Sequence, residues 1–124
     1  MADYLPDRFP ADSVPFTVAT SQTVVAGNLV HLTSAGTVEP SAASNGTWVG
    51  VAAQGGVATD VITVFTEGIH DLVTTAAAVA IGAAVVPAAA GQVATNGGTD
   101  YSAVIGVALT GVSGSGGTIK VMFR

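Results

Sequence analysis

One plan is written twice in this chain. Residues 17–38, TVATSQTVVAGNLVHLTSAGTV, align without a gap on residues 72–93, LVTTAAAVAIGAAVVPAAAGQV, at an offset of 55. Val18 falls on Val73, Thr20 on Thr75, Val24 on Val79 and Gly27 on Gly82. Val30 falls on Val85, Ala35 on Ala90, Gly36 on Gly91 and Val38 on Val93. After one inserted residue Gly50-Val51-Ala52 falls on Gly106-Val107-Ala108, and after a second Val64 falls on Val121. Two copies are fewer than the three or more units a solenoid needs. They point to one small domain with pseudo-repeated halves, about 17–67 and 72–123.

Each half reads as strands. NLVHLT alternates apolar and polar, with Leu29 and Leu32 as anchors, and SAG turns it into TVEP. VITVF alternates as a half-buried strand does. The glycine inside TWVGVAA marks a bulge or a close backbone approach. Gly-rich stretches such as NGG and SGSGG punctuate the strands. The segment 74–86, TTAAAVAIGAAVV, taken alone reads as helix, because Ala is the best helix former. Its partner in the repeat reads as strand and turn, and Gly82 interrupts a helix. Strand is favoured, with helix the alternative. The expected fold is all-β: a small single-domain β-barrel or sandwich over residues 16–124.

Composition removes several functions. The 124 residues fit one domain, and no cysteine is present, so disulfides, thiolate metal sites and cysteine nucleophiles are excluded together. Only 9% of residues are charged, the net charge is -5, and no Lys or Arg lies between Arg8 and Lys120. A nucleic-acid surface needs several cations to displace phosphate counterions, so no nucleic-acid partner is expected, and no anionic membrane surface. The most apolar run, Ala76 to Gly91, is broken by Gly82 and Pro87 and falls short of the roughly 20 residues a crossing helix requires. The opening MADYLPDRFP lacks a basic and an apolar signal region, so a cytoplasmic origin is expected. So few surface charges protect a monomer poorly against association. Burial in an oligomer or lattice explains them, with a neutral Ser/Thr surface as the alternative.

Residues 1–15 differ from the rest. MADYLPDRFPADSVP holds three of the five prolines, together with Tyr4, Leu5, Arg8 and Phe9. Prolines spaced in this way block helix and central strand alike. An extended arm with aromatic anchors is a form that docks on a partner; a tail, or a strap over its own barrel, is the alternative.

Chemistry is not legible. EGIHD places Glu67, His70 and Asp71 together with Asp60 nearby, but has one imidazole and no metal-ligand spacing. It reads as a polar turn. His31 is expected to face solvent or an interface. SGSGG has no following Lys and is no phosphate loop. No catalytic, metal or cofactor-binding residue is assigned, and the chain is not expected to be an enzyme.

The order of features resembles the capsid cement, or head decoration, proteins of tailed bacteriophages. It runs YLPDRFP, AGNLVHLTSAGTVEPSA, WVGVAA, VITVFTEGIHDL, AIGAAVVPAAAGQV, AVIGVALT and a closing TIKVMFR. The resemblance covers almost the whole chain, on short motifs of Gly, Val and Ala. It implies a structural virion protein, a homotrimer, on the outer surface of a capsid assembled in the host cytoplasm. There it clamps neighbouring major capsid proteins and needs no cofactor. The arm matches at Tyr4, Leu5, Pro6 and Phe9, and Arg8 and Pro10 join them as capsid-binding candidates. A β-sandwich adhesion or carbohydrate-binding module of a phage fibre is the alternative, although Trp48 is the only tryptophan available to stack a sugar. A small hydrolase or metal enzyme is barely supported by EGIHD.

Overall fold

Short alternating runs separated by glycine turns give short strands, and the computed structural model of the chain has twelve of them. It describes residues 13–43, 46–98 and 101–123. The strands are β1 (Ser13–Thr17), β2 (Thr23–Val24), β3 (Leu29–Leu32), β4 (Val38–Pro40), β5 (Trp48–Ala52) and β6 (Gly56–Val57). They continue with β7 (Val61–Phe65), β8 (Ile69–Val73), β9 (Ala84–Pro87), β10 (Val93–Thr95), β11 (Gly106–Ala108) and β12 (Thr118–Phe123). Among the described residues the only helical element is one 3₁₀ turn, Ala89–Gly91, so 74–86 is strand and turn rather than helix.

Two five-stranded antiparallel sheets carry the fold, in the orders β1-β7-β5-β3-β4 and β8-β12-β11-β9-β10, with β2 and β6 as a separate pair. The orders correspond strand for strand. β9 and β10 are β3 and β4 displaced by 55 residues. β1 and β8 correspond at a displacement of 56, and β7 and β12 at 57. At these displacements the pairs Ser13–Phe65 and Thr17–Val61 become Ile69–Met122 and Val73–Thr118. The gapless offset of 55 therefore slips by one over 17–20. Val18 shares its place with Thr74 rather than Val73, as their parallel bridges to Val38 and Val93 record.

No sheet closes into a barrel by continuous pairing, which corrects the barrel form of the expectation. Among the described residues the edges of each five-stranded sheet meet at one isolated bridge, Val18–Val38 in the first and Thr74–Val93 in the second. β1 also begins at Ser13, so Ser13, Val14 and Pro15, expected in the arm, belong to an edge strand.

The doubled Gly-Val-Ala has a steric cause. A β-carbon on Gly50 would overlap the main-chain carbonyl of Phe65, and one on Gly106 would overlap that of Met122. In each sheet the third strand passes so close to the second that only glycine fits.

The apolar faces form two cores. Val18, Val24, Val30, Val38, Ala52, Ile62 and Val64 fill one. Leu72, Val79, Val85, Val93, Ile105, Ile119 and Val121 fill the other, together with Leu29 and Val51 of the first sheet. Leu29 and Val30 thus serve different cores from adjacent positions, and β3 is covered on both faces. Ser41 ties the halves together: its buried hydroxyl donates to the Ala88 carbonyl at 2.8 Å, and the Gly91 N–H donates to the Ser41 carbonyl at 3.3 Å.

Candidate functional site

β7 and β8 follow one another with only residues 66–68 between them. Alternation buries Ile62, Val64 and Leu72 and turns Val61, Phe65, Ile69 and Val73 outward. Met122 of β12 stands beside Ile69 on the same exposed face. The result is an apolar strip in which Val61, Ile69 and Val73 are each at least half exposed. Singly exposed aliphatics are ordinary, and Thr63 stands between Val61 and Phe65 as Asp71 does between Ile69 and Val73. The strip carries one ion pair, Lys120 Nζ to Asp71 Oδ1 at 2.9 Å, with both side chains more than half exposed. Such a pair contributes about 0–1 kcal/mol.

β8 is an edge strand. The Phe123 N–H donates to the Gly68 carbonyl at 3.0 Å, and the Thr74 N–H to the Gly117 carbonyl at 2.8 Å. Hydrogen-bonded pairs alternate in an antiparallel ladder, so His70 and Leu72 bond to β12. Ile69, Asp71 and Val73 turn their N–H and C=O groups away, and these meet no main-chain partner among the described residues. β1 is the corresponding edge of the first sheet, with the same alternation fixed by the Val18 N–H on the Asp60 carbonyl at 2.8 Å. There the central outward position is Pro15, which has no N–H and blunts the edge. The corresponding position in β8 is Asp71, which keeps its donor.

EGIHD follows the strip. The His70 ring stacks on Phe65 with centroids 5.6 Å apart and tilts against Phe123 at 5.1 Å. Its Nε2–H donates to the Glu67 carbonyl at 2.7 Å. Asp71 is held by Lys120, and Asp60 Oδ2 accepts the Val57 N–H at 2.9 Å. The imidazole and the carboxylates therefore serve separate partners and do not converge. Among the described residues no cluster of three or more His, Cys, Asp and Glu could hold a metal ion. A recess lined by Ala43, Pro87, Ala94, Asn96 and Ser102, among others, has no titratable side chain among the described residues of its lining.

His31 departs from expectation. It is only 8% exposed, and its Nε2 lies 3.0 Å from Glu39 Oε1 across the β3–β4 pair. The reason is that β3 is covered on both faces, with Leu29 in one core and Val30 in the other. Trp48 is half-buried, with its ring edge-on to Phe123 at 5.6 Å, and so offers no open stacking platform. The capsid-binding candidates Tyr4, Leu5, Pro6, Arg8, Phe9 and Pro10 lie outside the described residues. The strip itself had a signal in the sequence, an apolar residue at every fourth position from Val61 to Val73.

Against known families, the sequence model for phage cement proteins matches residues 10–123. The chain belongs to the phage cement protein family. The match takes in both five-stranded sheets of this cement protein and the strip between them. Among solved structures it is similar to the head fiber gp8.5 N base of bacteriophage phi29. The TM-score is 0.62 at 18% identity, covering 90% of this chain and 94% of that one. At that identity the likeness is one of fold. No curated protein matches the sequence. No helix among the described residues is long and apolar enough to cross a membrane.

Proposed function

We propose that this cement-family chain is a structural virion protein that binds the outer surface of a phage capsid and stabilises it by clamping neighbouring major capsid proteins. The observation that carries the reading is the family match over residues 10–123. The likeness in fold to a phage head fiber base agrees with it. In this reading the chain works as a homotrimer without catalysis or cofactor, on particles assembled in the host cytoplasm. Its halves are two copies of one plan, supported by the matching strand orders and by Gly50 and Gly106. The N-terminal arm contributes to docking through Tyr4, Leu5, Pro6, Arg8, Phe9 and Pro10. Co-sedimentation of purified protein with expanded capsids tests the binding: saturable occupancy is expected, and protein that stays in the supernatant overturns it.

A further inference from the structure

The contact between the two sheets is one-sided. On the first sheet it uses the outer side of β3 and β5 and the residue after β4. Leu29 and Val51 join the second core, and Ser41 bonds to the 88–92 turn. On the second sheet it uses that turn, Ile105 and Phe123. A β-carbon on Gly91 would fall 2.6 Å from the Asn28 side chain, and the Phe123 ring meets Trp48. Each position has a counterpart in the other half, fixed by matching main-chain bonds. The Ser41 N–H donates to the Leu29 carbonyl as the Asn96 N–H does to the Ala84 carbonyl. The Thr33 N–H donates to the Thr37 carbonyl as the Ala88 N–H does to the Gln92 carbonyl. The counterparts are not covered in the same way. Leu29, Val51 and Ile105 are buried, whereas Ala84, Val107 and Val49, in their places, are partly exposed. Gly91 is buried, whereas Gly36 is exposed and a β-carbon on it would meet nothing within 4 Å. A two-fold relation between the halves would have used both sets alike. Instead the outer side of β9 and β11 and the 33–37 turn are left over, and they are the counterparts of two surfaces that fit each other.

We propose that the outer side of β9 and β11 in one copy docks on the 33–37 turn and Val49 of the next copy, repeating between chains the contact that joins the halves. A one-way contact of this kind runs head to tail and closes into a ring when its rotation divides the circle. The copy number rests on the homotrimer of the capsid reading: three copies place six halves in the ring, with internal and intermolecular contacts alternating. Ala84, Val107, Asn96, Thr33, Gly36 and Val49 carry no charge, so no ion is stripped of water when the surfaces meet. Ala84 is smaller than Leu29 and Val49 smaller than Ile105, so the contact between copies is the weaker of the two and separates first on dilution.

The chain has no cysteine, so added thiols report the contact on the free full-length protein, without any capsid. Its failure and that of the capsid reading are therefore distinguishable. Asn96→Cys and Thr33→Cys occupy the counterparts of Ser41 and Ala88, which are hydrogen-bonded at 2.8 Å inside the chain. A short bis-maleimide should join copies of the double variant into a ladder that ends at three chains, and should leave each single variant unjoined. Joined pairs of either single variant would overturn the proposal, because like surfaces would then meet. A double variant that stays at one chain, or a ladder that runs past three, would overturn it as well. A second measurement needs no added thiols. Sedimentation equilibrium should give the mass of three copies for the unaltered chain and of one for Val107→Glu, with the circular dichroism of a β protein in both. A monomeric unaltered chain, or a Val107→Glu chain that keeps the three-copy mass, contradicts the contact.

Discussion

Gly106 lies against the main-chain carbonyl of Met122 so closely that a β-carbon on it would overlap the oxygen. Main-chain atoms inside a sheet cannot swing aside as a flexible side chain can. Gly106→Ala is therefore expected to force β11 away from β12 and to cost about 1–3 kcal/mol, as is Gly50→Ala at Phe65. Urea titration of the single variants measures it. Alanine at either position with an unchanged midpoint would contradict the close approach.

Ser41 is the polar tie between the halves. Ser41→Ala leaves the Ala88 carbonyl without the hydroxyl that reaches it at 2.8 Å, and a buried acceptor left unpaired costs about 1–3 kcal/mol. The thermal midpoint should fall in a single transition. Two separate transitions would show instead that the halves melt independently.

Two charge contacts should rank in opposite order to their visibility. The exposed Lys120–Asp71 pair is worth about 0–1 kcal/mol, and what it contributes should fade with added salt. The His31–Glu39 contact is mostly buried, and Glu39→Ala removes the carboxylate 3.0 Å from the imidazole Nε2 at a cost of about 1–3 kcal/mol. Denaturant midpoints of Asp71→Ala and Glu39→Ala at low and high salt compare the two. A larger loss at Asp71 would overturn the ranking.

Deleting residues 2–12 should leave a folded β protein of unchanged oligomeric state that no longer holds onto capsids. Tyr4→Ala with Phe9→Ala should cause most of the same loss, since burying one large aromatic is worth roughly 1.5–3 kcal/mol. Titration onto expanded capsids reads the occupancy. Decoration by the truncated chain at full-length levels would place the contact on the sheets alone.

Much of the fold was legible because the repeat supplies a second reading of each ambiguous segment. The Ala-rich 74–86 could be helix by itself, but its partner around Gly27 could not. Gly50 and Gly106 flagged the close strand approach through their residue type. His31 was misjudged because alternation reports which side chains share a face, not whether that face is covered, and β3 has a core on each face. The gapless offset misplaced Val18 because matching valines at 18 and 73 hid a one-residue slip. The open edge of β8 was hidden for a related reason. Apolar spacing from Val61 to Val73 shows the exposed strip, whereas the missing neighbour strand emerges only from the pairing order.

The clamp is tested most directly by the rupture temperature of expanded capsids, measured with and without saturating amounts of the protein. The account predicts that decorated capsids rupture at a higher temperature, and that the increase disappears with the chain lacking residues 2–12. Full occupancy with no change in rupture temperature would contradict it.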